Sequence, residues 1–326
     1  YLLAIGVGWF IATVNLAFGS PNARLLATAF LFVLFRHYYI NRRWNSIRRG
    51  FGAPGNMSHW TCAYLLLLQV CAALDRTGWL AGKALTMMRI DFAVIMLCAG
   101  TYKYLIGYAH SEGWEYGRVN PLWGYFYKSY KNSSPTGPYI FFTNAMAFGM
   151  EVLAGFMMLT PGFEVAGSLI ISFSFLFVGL NIRLGRLAFL MTALPFIYYP
   201  TVFPSLMASA PTPLNCPQWI LHVISGAITC FIVLLPIVKI SQYSNLFANR
   251  SLPEPLQTWI SRYANFVPIT IWRVFTPDVT NFFVRIYQHD PETGKETVIL
   301  NDETYALSSW SEPRMKLRFY SVTESI

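Results

Sequence analysis

Charge is what this chain has least of. Only 12% of its 326 residues are Asp, Glu, Lys or Arg, about half the share usual in a soluble domain, while AVILMFWYC supply 55% and aromatics 17%. So little polar surface cannot cover a water-exposed globule of this length. A soluble cytosolic enzyme is therefore excluded, and the same apolar richness excludes an intrinsically disordered chain. The five cysteines (Cys62, Cys71, Cys98, Cys216 and Cys230) contain no C-x-x-C pair and four lie in apolar segments. They read as small core residues, neither a disulfide scaffold nor a metal centre. The histidines at 37, 59, 110, 222 and 289 include no pair three or four apart, so no single helix offers a metal or haem site. A Gly-rich phosphate loop, G-x-S-x-G and H-E-x-x-H are all missing, which excludes ATP-driven transport within this chain.

What the chain has is long apolar runs. A hydrocarbon core about 30 Å thick needs roughly 20 apolar residues per helix, and candidate spans fall at 1–18, 23–40, 59–75, 88–107, 139–160, 165–182, 186–204 and 219–239. The runs lack the polar–apolar alternation of a barrel strand, so the expected fold class is an all-α polytopic membrane bundle of about eight transmembrane helices. Pro195 interrupts the seventh span. The first run, opening at Tyr1, is expected to belong to a longer segment. Residues 1–239 form the transmembrane domain and 240–326 a linker with a small β-rich extra-membrane appendage. The stretch from Arg250 to Pro255 reads as a breaker-rich linker. Beyond it, alternation at 282–287, a turn at Asp290–Gly294, a return run at Glu296–Leu300 and a third at Met315–Val322 predict strands.

The net charge is +9, from 24 Lys and Arg against 15 Asp and Glu. No basic run carries a nucleic-acid reading module, so nucleic acid is not an expected partner. The excess follows the positive-inside rule instead. Arg36, Arg42, Arg43, Arg48, Arg49, Arg118, Lys128, Lys131, Arg183, Arg186, Lys239 and Arg250 fall in loops on one side, and only Arg24, Arg76, Lys83 and Arg89 on the other. That asymmetry places the N-terminus and residues 240 onward in the cytoplasm.

Few polar residues stand inside the spans. Ala4, Gly8 and Ala12 recur every four residues and suit a close helix–helix approach, within the chain or with a partner subunit. Glu151 lies mid-span with Asn144 seven residues earlier on the same helical face. A charge at that depth costs about 2.5–3.5 kcal/mol, so Glu151 must face a neighbouring helix or a wet cavity. Asp91 and Arg89 read as boundary residues, where solvation is cheap. Lys103 closes the fourth span ahead of an aromatic-dense loop containing Trp114, Tyr116, Trp123, Tyr125, Phe126, Tyr127 and Tyr130. It either snorkels beside an interfacial aromatic belt or is an amine desolvated by aromatic walls and so able to act as a base.

The order Ala99-Gly-Thr-Tyr-Lys103, then Trp114-Glu-Tyr-Gly117, with Trp272-Arg-Val-Phe-Thr-Pro277 further on, resembles the vitamin K-dependent carboxylase-like (HTTM) family of integral membrane proteins. The resemblance implies a many-helix membrane fold trailed by a β-rich region. It further implies that Lys103 is the base that deprotonates a reduced quinone, with Trp114 and Gly117 shaping the pocket. In the family's carboxylase, oxygen then converts the quinol to an epoxide and the strong base so formed drives carboxylation of glutamate. Nothing outside the membrane here is large enough to hold a protein substrate. The expected function is therefore binding of a quinone or lipid in an intramembrane cavity lined by Asn144 and Glu151, with oxidoreductase- or lyase-type chemistry at Lys103. The alternative is a non-catalytic subunit of a larger membrane assembly, whose partners are membrane lipids and other membrane-protein subunits. No metal ligand is expected.

Overall fold

The computed structural model describes residues 7–12, 14, 20–43, 52–75, 77–105, 138–181, 186–199, 216–247, 252–266, 285–289 and 296–301. They are mostly helical. Helix α1 is Pro21–Arg43, α2 Gly52–Leu74, α3 Trp79–Leu105, α4 Pro138–Leu159, α5 Glu164–Asn181 and α6 Arg186–Ala193, which a 3-10 turn at Leu194–Tyr198 continues. Helix α7 is Gln218–Phe247 and α8 Glu254–Phe266. Strands β1 (Arg285–His289) and β2 (Glu296–Asn301) pair antiparallel, with a register irregularity between Ile286 and Tyr287. The run at Met315–Val322 and most of 1–18 lie outside the described residues.

Three helices are long and apolar enough to cross a membrane, through Met57–Leu74 of α2, Trp79–Tyr104 of α3 and Gln218–Lys239 of α7. Shorter apolar stretches at Leu25–His37, Asn144–Leu159, Glu164–Leu180 and Leu187–Tyr198 coincide with four of the other expected spans. Three boundaries differ from those the sequence predicts, each for a physical reason. Helix α2 starts at Gly52 because Pro54 falls in its first turn, where the missing N–H has no helical partner to lose. Helix α3 starts at Trp79, so Lys83, Arg89 and Asp91 are not boundary or loop residues but lie within the helix. Likewise α8 begins in the supposed linker, with the Pro253 carbonyl accepting the amides of Leu256 at 2.9 Å and Gln257 at 3.0 Å. The break at Pro195 is where the sequence puts it, in the first turn of the 3-10 segment.

From α1 to α6, successive helices pack antiparallel. The Leu31 carbonyl with Cys62 Sγ and the Phe35–His59 ring contact set α1 against α2. Trp60 and Tyr64 reach Asp91 from α2 to α3, and Ser172 reaches the Thr192 carbonyl from α5 to α6. Helix α7 runs parallel to α3, because Lys83 meets Ser225 and Asp91 meets Lys239. The turn at 75–78 and the start of α7 therefore share one end of the bundle, while the turn at 160–163 faces the same way but stands about level with Arg89 and Asp91, because Gly155 meets Leu97 and α4 ends four residues later. The C-terminal ends of α1, α3, α5 and α7 share the other. Helix α3 is central: 61% of its apolar span is buried, against 22% for that of α7.

Glycine sets how closely α3 and α4 approach. A Cβ on Gly100 of α3 would stand 2.7 Å from the Phe148 carbonyl oxygen and 2.6 Å from Val152 Cγ2 of α4. Reciprocally, a Cβ on Gly155 of α4 would stand 2.6 Å from Leu97 Cγ of α3. Gly167 repeats the device between α5 and α4, its Cβ position lying 2.8 Å from the Ala154 carbonyl oxygen. Of the expected small-residue face, Ala12 is buried in a satellite cluster with Ala27, Leu31, Leu34 and Cys62, whereas a Cβ at Gly8 meets nothing within 4 Å. Gly8 is thus not a contact point of the kind Gly100 and Gly155 provide among the described residues.

Two turns are closed by a side chain and a left-handed glycine. Gly78 has φ 74° and Gly162 φ 87°, conformations that cost a Cβ-bearing residue energy. Asp75 Oδ2 accepts the Leu80 amide at 2.8 Å, and its Oδ1 accepts the Thr77 amide at 2.9 Å and hydroxyl at 2.7 Å. The Leu80 bond satisfies an amide that the first turn of α3 leaves without a helical partner, and the Thr77 bonds close the turn before it. Burial pushes the Asp75 pKa up, but the hydrogen bonds from Leu80, Thr77 and Trp79 outweigh it and hold the carboxyl below its ordinary value.

The glycine seam and the Asp75 turn can each be tested by substitution. Gly100→Ala should lower the thermal unfolding midpoint in detergent, its overpacking costing about 1–3 kcal/mol. Gly82→Ala, whose Cβ meets nothing within 4 Å, should leave the midpoint unchanged or raised; equal behaviour of the two variants would refute the close approach. Because the folded pKa of Asp75 is depressed, its contribution is complete above the ordinary carboxylate value of about 3.9 and is lost as pH falls through the folded value. Asp75→Asn should therefore destabilise the protein at neutral pH and remove that part of its acid sensitivity, measured as the unfolding midpoint against pH.

Candidate functional site

Charged side chains in an apolar bundle must be paired or neutralised, and helix α3 meets that demand at two levels. Near its C-terminal end, Lys103 Nζ lies 2.6 Å from Glu151 Oε1 of α4, with both residues 4% exposed. The glycine contacts produce this pair. Gly100 lies one turn before Lys103 on α3, and Gly155 one turn after Glu151 on α4. Where the backbones are that close, side chains one turn away meet across the seam. Ala99-Gly-Thr-Tyr-Lys103 is thus a packing glycine followed by the cation that the packing delivers to Glu151.

Three sequence-predicted residues therefore belong to one region. Asn144 is fully buried two turns before Glu151 on the same face of α4. Glu151 faces a neighbouring helix, and the cation that meets it is Lys103. Its second carboxylate oxygen, Oε2, is buried and has no hydrogen-bond partner among the described residues. Trp114 and Gly117 fall outside the described residues. Tyr102 is buried, and Tyr104 packs its ring 5.8 Å from Phe148 of α4.

The second charged level was not legible in the sequence as a site. Asp91 is fully buried, and its Oδ2 accepts Trp60 Nε1 at 2.8 Å and the Tyr64 hydroxyl at 2.7 Å. Its Oδ1 lies 3.3 Å from Lys239 Nζ of α7. Asp91 is therefore not a boundary residue, and Lys239 is not a loop charge. The available signal was the run of apolar and small residues that continues from Met88, where the expected span opens, back to Trp79 with Lys83 as its one charge. That run places Asp91 well inside the helix.

Two further cations of α3 are also used inside the bundle. Arg89 Nε donates to the Ile197 carbonyl at 2.9 Å with its guanidinium over the Tyr198 ring, and the Tyr198 hydroxyl donates to the Arg89 carbonyl. Lys83 Nζ donates to Ser225 Oγ at 2.7 Å and sits over the Trp79 ring.

The two ion pairs differ in chemical capacity. Both Asp91 oxygens are engaged by donors on α2 and α7, which suits a fixed structural anchor. Glu151 has one acceptor oxygen without a hydrogen-bond partner among the described residues, beside an ammonium, which suits a group that takes a hydrogen bond or a proton from a ligand. Among the described residues, no three His, Cys, Asp or Glu side chains come together as a metal site. No family model, curated protein or solved structure matches this chain.

The partners of Asp91 predict an asymmetry. Asp91→Ala strands the Lys239 ammonium and two buried donors together, and should cost at least the roughly 3–5 kcal/mol of a broken buried pair. Lys239→Met leaves the carboxylate with its Trp60 and Tyr64 donors and should cost less. Unfolding midpoints of the two purified variants check the order; equal losses would contradict it.

Proposed function

We propose that this chain is a polytopic membrane protein of about eight spans whose Lys103–Glu151 site receives the polar head of a quinone or lipid. The single observation behind the reading is the buried Glu151 carboxylate, one oxygen bonded to Lys103 and the other without a partner among the described residues. A quinol hydroxyl is a donor of the right kind for that oxygen, and Asn144 on the same face of α4 lines the approach. For Lys103 to act as the base implied by the resemblance to the carboxylase-like family, its proton first passes to Glu151. The neutral amine and carboxylic acid so formed carry no charge in the apolar interior; the amine then turns its lone pair from the Glu151 hydroxyl to the quinol hydroxyl and accepts its proton, leaving an ammonium beside the quinolate.

The same proposal keeps a small β-rich appendage that includes the β1–β2 hairpin, and a cytoplasmic placement of residues 240 onward. Moving Lys83, Arg89 and Lys239 from loops into helices leaves the basic bias at the same end. Arg36, Arg42, Arg43, Arg48, Arg49, Arg118, Lys128, Lys131, Arg183, Arg186 and Arg250 still face only Arg24 and Arg76.

Native mass spectrometry of the gently extracted protein tests this reading. The expected result is a monomer or small homo-oligomer carrying one quinone- or lipid-sized adduct, lost in Glu151→Gln and retained in the exposed-site control Glu254→Gln. A fixed complex with other polypeptides and no adduct would favour the non-catalytic subunit, and an adduct indifferent to Glu151→Gln would overturn the site.

A further inference from the structure

Helix α8 divides its faces more cleanly than any other described helix. Leu256, Trp259 and Ile260 fall on one side at helical spacing, and Tyr263 and Phe266 continue that spacing in the sequence. Glu254, Gln257, Thr258 and Arg262 occupy the other side and are exposed. The apolar side is only partly covered. Ile260 is 5% exposed, while Leu256 and Trp259 are 40% and 41% exposed.

The place of α8 in the chain decides what covers the rest. It follows α7, whose Gln218–Lys239 stretch is long enough to cross a membrane, after a connection of residues 248–253 that reaches roughly 20 Å at most. It packs against α1, a helix with its own apolar stretch at Leu25–His37. Helix α7 ends at the end of the bundle where α1 also ends, so α8 emerges beside the level of Arg42 and Arg43. At 13 residues, α8 is about 20 Å long and too short to cross the hydrocarbon core. A short helix tied to membrane-crossing elements, with an exposed apolar edge that includes a tryptophan, has the form of a helix lying in the interface plane.

We propose that α8 is an interfacial helix that lies in the lipid head-group layer at the arginine-rich end of the bundle, with Leu256 and Trp259 turned into the acyl boundary and Thr258 and Arg262 toward water. Its occupant is the lipid surface itself. With one acidic and one basic side chain on α8, binding rests on apolar partition and depends little on lipid charge.

The test uses the full chain with Cys216 and Cys230 replaced by Ser, reconstituted in phosphatidylcholine nanodiscs. Single cysteines at Leu256, Trp259, Thr258 and Arg262 carry an environment-sensitive fluorophore. Labels at 256 and 259 should show blue-shifted emission, quenched several-fold more by lipid-borne nitroxide than labels at 258 and 262, and the order should reverse for aqueous iodide. Replacing part of the lipid with phosphatidylglycerol should leave this pattern unchanged. If the 259 substitution prevents folding, the contrast between 256 and 258 carries the test alone. Equal iodide quenching at all positions would place α8 in water, and shielding of 256 and 259 from both quenchers would mean that protein covers the face; either result overturns the proposal.

Discussion

Helix α3 must bury both an acid and a base, and the bundle is arranged around that constraint. Asp91 and Lys103 stand about 18 Å apart along the helix, at levels where solvation is not available. Each is met by an opposite charge from a different neighbour, Lys239 of α7 and Glu151 of α4. An uncompensated charge at either level would cost more than any single packing contact returns. The two pairs therefore fix which helices flank α3 and in what register, while apolar packing alone is tolerant of sliding.

The pairs are delivered by different means. Lys239 has a long side chain and reaches Asp91 from a helix that is mostly peripheral. Glu151 meets Lys103 because Gly100 and Gly155 let two backbones approach until a Cβ on either would collide. The second arrangement is rigid at the backbone and incomplete at the side chain, since Glu151 retains an acceptor oxygen without a partner among the described residues. That combination of a fixed frame and an unused polar atom distinguishes the Lys103–Glu151 site from the saturated Asp91 cluster.

Much of this was legible in the residues. Apolar runs located the helices, Pro195 located a break, and alternation around Ile286 and Val298 located the paired strands. Asn144 and Glu151 stood out because polar groups are expensive inside a membrane, and Lys103 because it closes a span ahead of an aromatic-dense loop. What the sequence concealed was pairing. Lys83, Arg89 and Asp91 looked like the edge of a span because each is costly alone; they are tolerated inside α3 because Ser225, the Ile197 carbonyl and Lys239 meet them, from positions more than a hundred residues away in sequence. Helix α8 was hidden by its prolines, which stop a helix in its interior but open one in its first turn. Gly100 and Gly155 carry no local pattern that marks them as partners; only the packed backbones relate them.

The most direct measurement of the central claim is exchange of the two charges across the α3–α4 seam. Lys103→Glu alone and Glu151→Lys alone each place like charges within contact distance and should sharply lower the unfolding midpoint and the yield of folded protein. The combined variant restores opposite charges and should recover most of both. A combined variant no better than the singles, or singles that unfold like the parent, would contradict the account that paired charges on α3 hold this bundle in register.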